Sequence, residues 1–393
     1  MKKTLLAVAL TAATAGTAHA ATVYDQDGTS LQIGGFVEAR AQMNKEATGG
    51  TLSPVEYTDT NSMSDVNDKS RFRLNMTGKS MINDTLYGIG FAELEFTTDS
   101  SDVNSRYIYA GIGGDFGQVT YGKQNGALDA ITDFTDIMPN NGATASNKIT
   151  SADRISNTLA YAGTFGDIST RLTYKAKESA PDFDGQGFGG SLVWNLGDSR
   201  FSVGAGYAYE RDNLAGNAGA TFANRVNTYN TMLGLSYNDE MLYVGLLGSV
   251  GKHLTTGTFV GDDAAGFASN NQTISDGMTG ENTFLNLDRD DVGAAKYWGA
   301  EFATAVTLDQ WILQATYNYG KYTDLNNAGT YLSNVAKVLD KNDPVAANNA
   351  DFAVNYVWNK QFTTFVEYQA DFLDKKDQYY RGDNAWLGAM YSF

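Results

Sequence analysis

The sequence predicts an all-β fold: a sixteen-stranded antiparallel transmembrane β-barrel. Three observations predict it. Apolar and polar residues alternate with a period of two in many runs, charges stand in mid-run on the polar side, and short turns alternate with long polar connections.

The alternation recurs along the chain. Leu31, Ile33, Val37, Ala39, Ala41 and Met43 sit at odd positions, with Gln32, Glu38, Arg40 and Gln42 between them. Ile168, Leu172, Tyr174 and Ala176 alternate with Ser169, Arg171, Thr173, Lys175 and Lys177. Trp311, Leu313, Ala315, Tyr317 and Tyr319 form a third series, Phe352, Val354, Tyr356 and Trp358 a fourth, and Leu387, Ala389, Tyr391 and Phe393 a last one. A water-soluble sandwich and a membrane barrel both produce this pattern, one hiding its apolar face in a core and the other showing it to lipid. The polar series decides between them. Arg71, Arg73, Glu93, Glu95, Arg171, Lys175 and Glu367 are costly in a dry core and comfortable beside a water-filled lumen. Aromatic residues crowd the ends of the apolar faces (Tyr207, Tyr209, Trp298, Trp311, Tyr391), as an interfacial girdle does.

The connections set the strand number. Seven tight turns, at Asn83-Asp84, Gly114 to Gly117, Gly166-Asp167, Gly197-Asp198, Asn238-Asp239, Leu308-Asp309 and Asn359-Lys360, alternate with eight long segments. These lie near 44–69, 97–105, 124–153, 178–187, 211–228, 252–295, 321–350 and 373–381. Fifteen connections make sixteen strands with both termini on the short-turn side. All four prolines (Pro54, Pro139, Pro181, Pro344) fall in the long segments, as strands that need every ladder donor require. Closure needs the last strand, with Phe393 outward, to pair with the strand around Ile33.

Composition bounds the function. Of 393 residues 42% are hydrophobic, 19% are charged, 42 are Gly, 4 are Pro and none is Cys. Mean hydropathy of −0.32 excludes a bundle of transmembrane helices, and the lack of Cys excludes disulfides and thiolate metal sites. A net charge of −17 opposes nucleic-acid binding, which needs concentrated Lys and Arg. Residues 1–20 read as a signal peptide: basic Lys2 and Lys3, an apolar stretch from Leu5 to Ala15, and the small-residue cleavage site Ala18-His19-Ala20. Residues 21–393 then form one barrel domain, two lysines poorer, with His253 as its one histidine.

Other motifs are discounted. Gly111-x-Gly113-Gly114 and Gly204-x-Gly206 lie in strands with no following helix, so they are not phosphate loops. Asp288 to Gly293 begins like a calcium loop, but its twelfth position is Gly299 instead of Glu, and the acidic stretch 252–295 reads as a solvated surface. His253 stands without a Gly-x-Ser-x-Gly elbow, so the chain reads as no enzyme, with no metal and no cofactor. A surface adhesin barrel and a solute-specific channel stand as alternatives to a general pore.

From Arg73 to Phe393 the chain resembles the Gram-negative general diffusion porins. The resemblance rests on Arg73 to Gly78 followed by Ile82-Asn83-Asp84-Thr85-Leu86, on Gly88 to Glu93, and on Arg106 to Gly111 with the later Tyr121-Gly122-Lys123. Thr135-Asp136-Ile137-Met138-Pro139, Asn359-Lys360, Thr364 to Tyr368 and terminal Phe393 complete it in order. It implies a homotrimer in the outer membrane, in contact with lipid and lipopolysaccharide, that passes small hydrophilic solutes and ions, with 97–105 as a latch onto a neighbour. It also implies that the third long loop, 124–153, folds inward. Arg73, Arg106 and Arg154 would then stand on the wall of a constriction, with Asp136 opposite on the loop. Alternation agrees: the apolar neighbours Phe72, Leu74, Tyr107 and Ile155 leave the three arginines to the lumen face, where Glu93 can join them. The acids Glu93, Glu95, Asp129, Asp133 and Asp136 outnumber the three arginines, which predicts weak cation preference. Two positions depart from the family pattern: Asn140 where many members carry a second loop acid, and Phe36 where some carry lysine.

Overall fold

A computed structural model describes residues 20–44, 47–48, 58–59, 65–177, 185–214, 224–254, 294–323, 345–373 and 382–393. Residues 1–19, with the expected signal peptide, lie outside the described residues, as do most of 44–69 and 252–295 and the positions of Pro54, Pro181 and Pro344.

A short strand β1 (Ala21–Gln26) precedes the barrel. The sixteen barrel strands are β2 (Thr29–Asn44), β3 (Arg71–Met81), β4 (Leu86–Thr97), β5 (Asn104–Gly114), β6 (Gly117–Gln124), β7 (Ile155–Phe165), β8 (Ile168–Lys175) and β9 (Gln186–Asn195), then β10 (Phe201–Leu214), β11 (Asn224–Asn238), β12 (Leu242–Leu254), β13 (Ala294–Leu308), β14 (Trp311–Thr323), β15 (Val345–Val357), β16 (Phe362–Asp371) and β17 (Asn384–Ser392). Each pairs antiparallel with its chain neighbour, and β17 returns to β2 to close the sheet.

Closure differs from expectation by one detail. Tyr391 faces Val37, not Ile33, because Ile33 is already paired with Ala21 of β1. The tight turn Asp27-Gly28, both residues at positive φ (52° and 73°), folds β1 back onto β2. β1 and β17 thus share one edge of β2, and Phe393 and Gly35 exchange reciprocal backbone hydrogen bonds of 3.0 and 3.2 Å where they meet. Phe393 stacks on Phe72, which contacts outward-facing Phe96, so the last residue is outward as expected.

The two faces are inverted relative to a water-soluble protein. One carries Leu172, Leu192, Trp194, Leu246, Val250 and Phe352 into the surroundings, with Leu233 63% exposed. The other buries Asn230, Ser249, Glu301, Thr316, Asn318, Asp351 and Glu367. Aromatic contacts ring the apolar band at both rims: Trp311, Tyr356 and Trp358 near the short turns, each neighbouring pair 4.7 Å apart, and Phe188 with Tyr209, 5.5 Å, near the long loops. The short turns are fixed locally, since Asn83, Asp239 and Asn359 each accept two following backbone N–H groups.

Several strands run further than the apolar pattern. β10 and β11 stay paired to Leu214 and Asn224, inside the expected loop 211–228, and β15 begins at Val345, inside the expected loop 321–350. The ladder outlasts the pattern because above the hydrocarbon both faces can be polar (Glu210-Arg211-Asp212-Asn213, Asn348-Asn349) while the backbone keeps its partners. Leu233 tests the orientation of the faces: Leu233→Arg should destabilise the barrel by about 2–4 kcal/mol, as for a cation near the bilayer midplane. Urea unfolding in lipid vesicles measures this, and an unchanged midpoint would show that Leu233 meets water.

Candidate functional site

The arginines of the polar face come from neighbouring strands. Arg71 and Arg73 project from β3, Glu93 and Glu95 from β4, and Glu38 and Arg40 from β2. They alternate in sign: Arg71 pairs with Glu38, Arg73 with Glu95, and Arg106 with Glu93 at 2.8 Å. Arg71 and Arg73 also lie over the Phe36 ring, at 5.3 and 5.2 Å.

Arg106 reaches this face by a route that strict alternation misses. The β4–β5 register shifts between Glu93 and Leu94, which face Tyr107 and Ser105 and leave Arg106 as an extra residue in a bulge. Arg106 and Tyr107 therefore both turn to the polar side, Arg106 to Glu93 and the Tyr107 hydroxyl to Asn125 Oδ1 at 2.7 Å. Alternation alone puts Tyr107 on the apolar face, and the bulge corrects that. Arg154, just before β7, places its guanidinium 5.3 Å from the Tyr107 ring.

The segment 125–154 carries a one-turn helix α1 (Asp129–Thr132) and contacts strands far apart in the sheet. Three buried wall glutamates accept hydrogen bonds from it. Glu210 of β10 accepts from the Ser151 N–H, and Glu301 of β13 accepts from the Ser146 N–H and the Thr135 hydroxyl. Glu367 of β16 accepts from the N–H groups of Asn140 and Asn141, at 2.9 and 2.7 Å. These bonds offset the cost of burying polar carboxyl groups away from water. The hydroxyls of Tyr243, Tyr297 and Ser249 donate to the carbonyls of Phe134, Ala145 and Ser146.

Glycine makes room for this contact. A Cβ on Gly245 or Gly299 would overlap the carbonyl oxygen of Phe134 or Ala145, and one on Gly204 or Gly206 would stand 2.6 Å from the Phe134 or Leu128 side chain. Against these positions Leu128, Ile131, Phe134, Ile149 and Ala152 form an apolar cluster with Ala208, Met232 and Leu247.

Asn140 is explained by its neighbours. Its side-chain oxygen accepts from Arg40 Nη1 at 2.8 Å and its amide nitrogen donates to Glu367 at 2.9 Å. A carboxylate there could accept from Arg40 but would face Glu367 with like charge.

Of the residues expected at a constriction, the structure brings Arg73, Arg106, Arg154 and Glu93 into one group. The loop acids stand apart from it. Asp129 pairs with Lys148, which also meets Asp153 at 3.1 Å. The Asp136 carboxylate accepts from the Ala143 N–H, and among the described residues it makes no ion pair with the arginines. Asp133 stays in contact with solvent. Crowding by surrounding protein, then the charges of Asp129 and Asp136, push its pKa up to about 6. Burial also raises Asp129 and Asp136. Burial opposes the charge of Lys148, but Asp129 and Asp153 outweigh it and hold its pKa above the usual lysine range. Sequence reasoning put Glu367 on the lumen face without its anchoring role and missed Glu210, Glu301 and the glycine seat; the signal was present as Gly and Glu at polar parity, as in Gly204-x-Gly206.

A model of the Gram-negative porin family matches residues 7–377. This chain belongs to that family. Outer membrane protein U of Vibrio parahaemolyticus is 33% identical over 399 aligned positions, 96% of this chain and 92% of that protein. The structure of Salmonella typhi OmpF in complex with daunomycin matches at a TM-score of 0.67 and 18% identity, over 95% of this chain and all of that one. The trimer form of Vibrio cholerae OmpT matches at 0.60 and 15% identity, over 93% and 100%. These likenesses give the same barrel fold. The porin is a multi-pass outer-membrane protein, as the sequence led us to expect.

Asn140→Asp isolates the loop contact. It should replace a donor to Glu367 with a like charge and cost about 1–3 kcal/mol of loop anchoring. Limited proteolysis within 125–154 should then be faster than in the unaltered porin at neutral pH.

Proposed function

We propose that this porin is a water-filled channel for passive diffusion of small hydrophilic solutes and ions, narrowed where 125–154 folds into the lumen. One observation carries the reading: a single loop is hydrogen-bonded to β10, β13 and β16 and to Arg40 of β2, which lie around the sheet. A sixteen-stranded barrel is wide enough for a channel, and a segment that reaches so many walls crosses its bore. Arg73, Arg106, Arg154 and Glu93 then line one side of the passage, and the side carrying Asp129, Asp133 and Asp136 lies on the loop. Charges facing one another across a narrow gap orient water, which favours polar solutes over apolar ones that must displace it.

The selectivity proposed is weakly cationic. Arg73 and Arg106 are engaged by Glu95 and Glu93, which lowers their attraction for anions, while among the described residues the Asp133 carboxylate makes no ion pair and stays near solvent. The net charge, −17 over the full chain and more negative once Lys2 and Lys3 are removed with residues 1–20, adds cations at the mouths, but screening over about 8–10 Å limits its reach. The assembly proposed is a homotrimer set in lipid and lipopolysaccharide, with cleavage after Ala20 and residues 97–105 as the latch. The latch is braced by Lys69, whose ammonium meets Asp99 at 2.9 Å.

Reversal potentials across a potassium chloride gradient test the selectivity. Asp133 has a raised pKa, so it is charged above about 6 and neutral below. Cation preference should therefore be present at pH 7.5, shrink on acidification to pH 5, and fade at high salt. Anion preference at pH 7.5 and low salt would show that the arginines dominate.

A further inference from the structure

The outward face of β12 to β14 ends, on the long-loop side, in a cluster of lysines that the channel reading does not use. Lys252 on β12 stands directly opposite Lys296 on β13, and Lys321 on β14 stands opposite Trp298, two residues nearer the short turns than Lys296. All three have outward parity. Their chain neighbours Gly251, His253, Ala295, Tyr297 and Tyr322 are buried on the inner side, whereas Lys296 and Trp298 are exposed and Lys252 and Lys321 half-buried. From each lysine toward the short turns the outward positions become apolar: Val250 and Leu246 on β12, Trp298 and Phe302 on β13, Tyr319 and Leu313 on β14. Trp298 and Tyr319 touch, with ring centroids 5.3 Å apart, and Tyr229 of β11 flanks Lys252 in its row. Directly opposed residues of an antiparallel pair hold their Cβ atoms about 5 Å apart, where like charges are unfavourable unless an anion lies beside them. The chain is acid-rich, at −17, yet the outward register positions beside the three lysines (Tyr229, Val250, Trp298, Tyr319 and Thr323) carry no acid.

We propose that Lys252, Lys296 and Lys321 bind a phosphate group of an outer-leaflet glycolipid whose acyl chains lie along Trp298, Tyr319 and the aliphatic residues below them. The long loops of such barrels face the cell exterior, so this rim meets the outer leaflet. Aromatic side chains mark the boundary of the hydrocarbon, and two strand residues beyond them, about 7 Å, is the depth of a headgroup phosphate. Each ammonium carries three N–H donors, so a contact within the protein leaves donors over for that phosphate. A soluble anion finds the charge without the apolar ladder, and a glycolipid without phosphate finds the ladder without the charge. The inference deepens the lipopolysaccharide contact proposed above and rests on the outward reading of this face.

Native mass spectrometry of the folded porin in detergent tests it, with bisphosphorylated lipid A, the same glycolipid stripped of both phosphates, and inorganic phosphate as probes. The phosphorylated lipid should be retained at a concentration at least about tenfold below that of the stripped one. Inorganic phosphate at equal concentration should not displace it. Lys252→Gln, Lys296→Gln and Lys321→Gln should each raise the half-saturating concentration of the phosphorylated lipid about fivefold, as one lysine at an anionic lipid surface contributes, with single-channel current and reversal potential retained. Equal retention of the two glycolipids, or retention unchanged in all three variants, overturns the site. Displacement by inorganic phosphate reduces it to a site for soluble anions and overturns the lipid assignment. A changed reversal potential in the variants would place the lysines in the lumen and overturn the outward reading. A folded barrel that retains the lipid as expected but passes no current overturns the channel reading alone.

Discussion

Everything in this molecule depends on pairing the backbone where water is absent. In hydrocarbon an unpaired N–H or C=O costs several kcal/mol, so a sheet must close on itself. Here closure uses three pieces of chain: β17 covers the long-loop half of β2, β1 covers the other half, and Phe393 and Gly35 join at the seam. With the apolar face committed to lipid, the polar side chains are left to the interior, and an aqueous lumen follows.

A second problem is the long segment between β6 and β7, because a loop in water has little reason to hold one position. Segment 125–154 is held against the wall by polar anchors as well as apolar packing. Glu210, Glu301 and Glu367 turn buried carboxyl oxygens toward loop N–H groups, and glycine lets the two backbones approach to contact. The wall of β2 to β5 uses the same chemistry differently. Its arginines are held straight by Glu38, Glu93 and Glu95 and by stacking on Phe36, which fixes their positions while lowering their net field.

The barrel was legible because its period of two follows directly from strand geometry, and strand number followed from counting turns. Strand ends were less legible, since Asp212 and Asn348 carry no apolar signal yet remain paired. At the site, Arg73 and Glu93 could be read from parity. Arg106 was assigned to the correct face by an argument that fails at its bulge, where two successive side chains share one side. The loop acids could not be located, because Asp129 and Asp136 find partners within 125–154 itself and no periodicity governs such a segment. The role of Gly245 and Gly299 needs the position of a carbonyl more than fifty residues away in sequence.

The central claim is that 125–154, seated on the glycine-lined wall, narrows the passage. Gly245→Val tests it most directly, because the new side chain would occupy the place of the Phe134 carbonyl while its outward neighbours and the ladder stay intact. Single-channel conductance of the folded variant should rise above that of the unaltered porin as the loop leaves its seat. Unchanged conductance, with 125–154 newly open to protease, would contradict the claim, since the loop would then have moved without widening the pore.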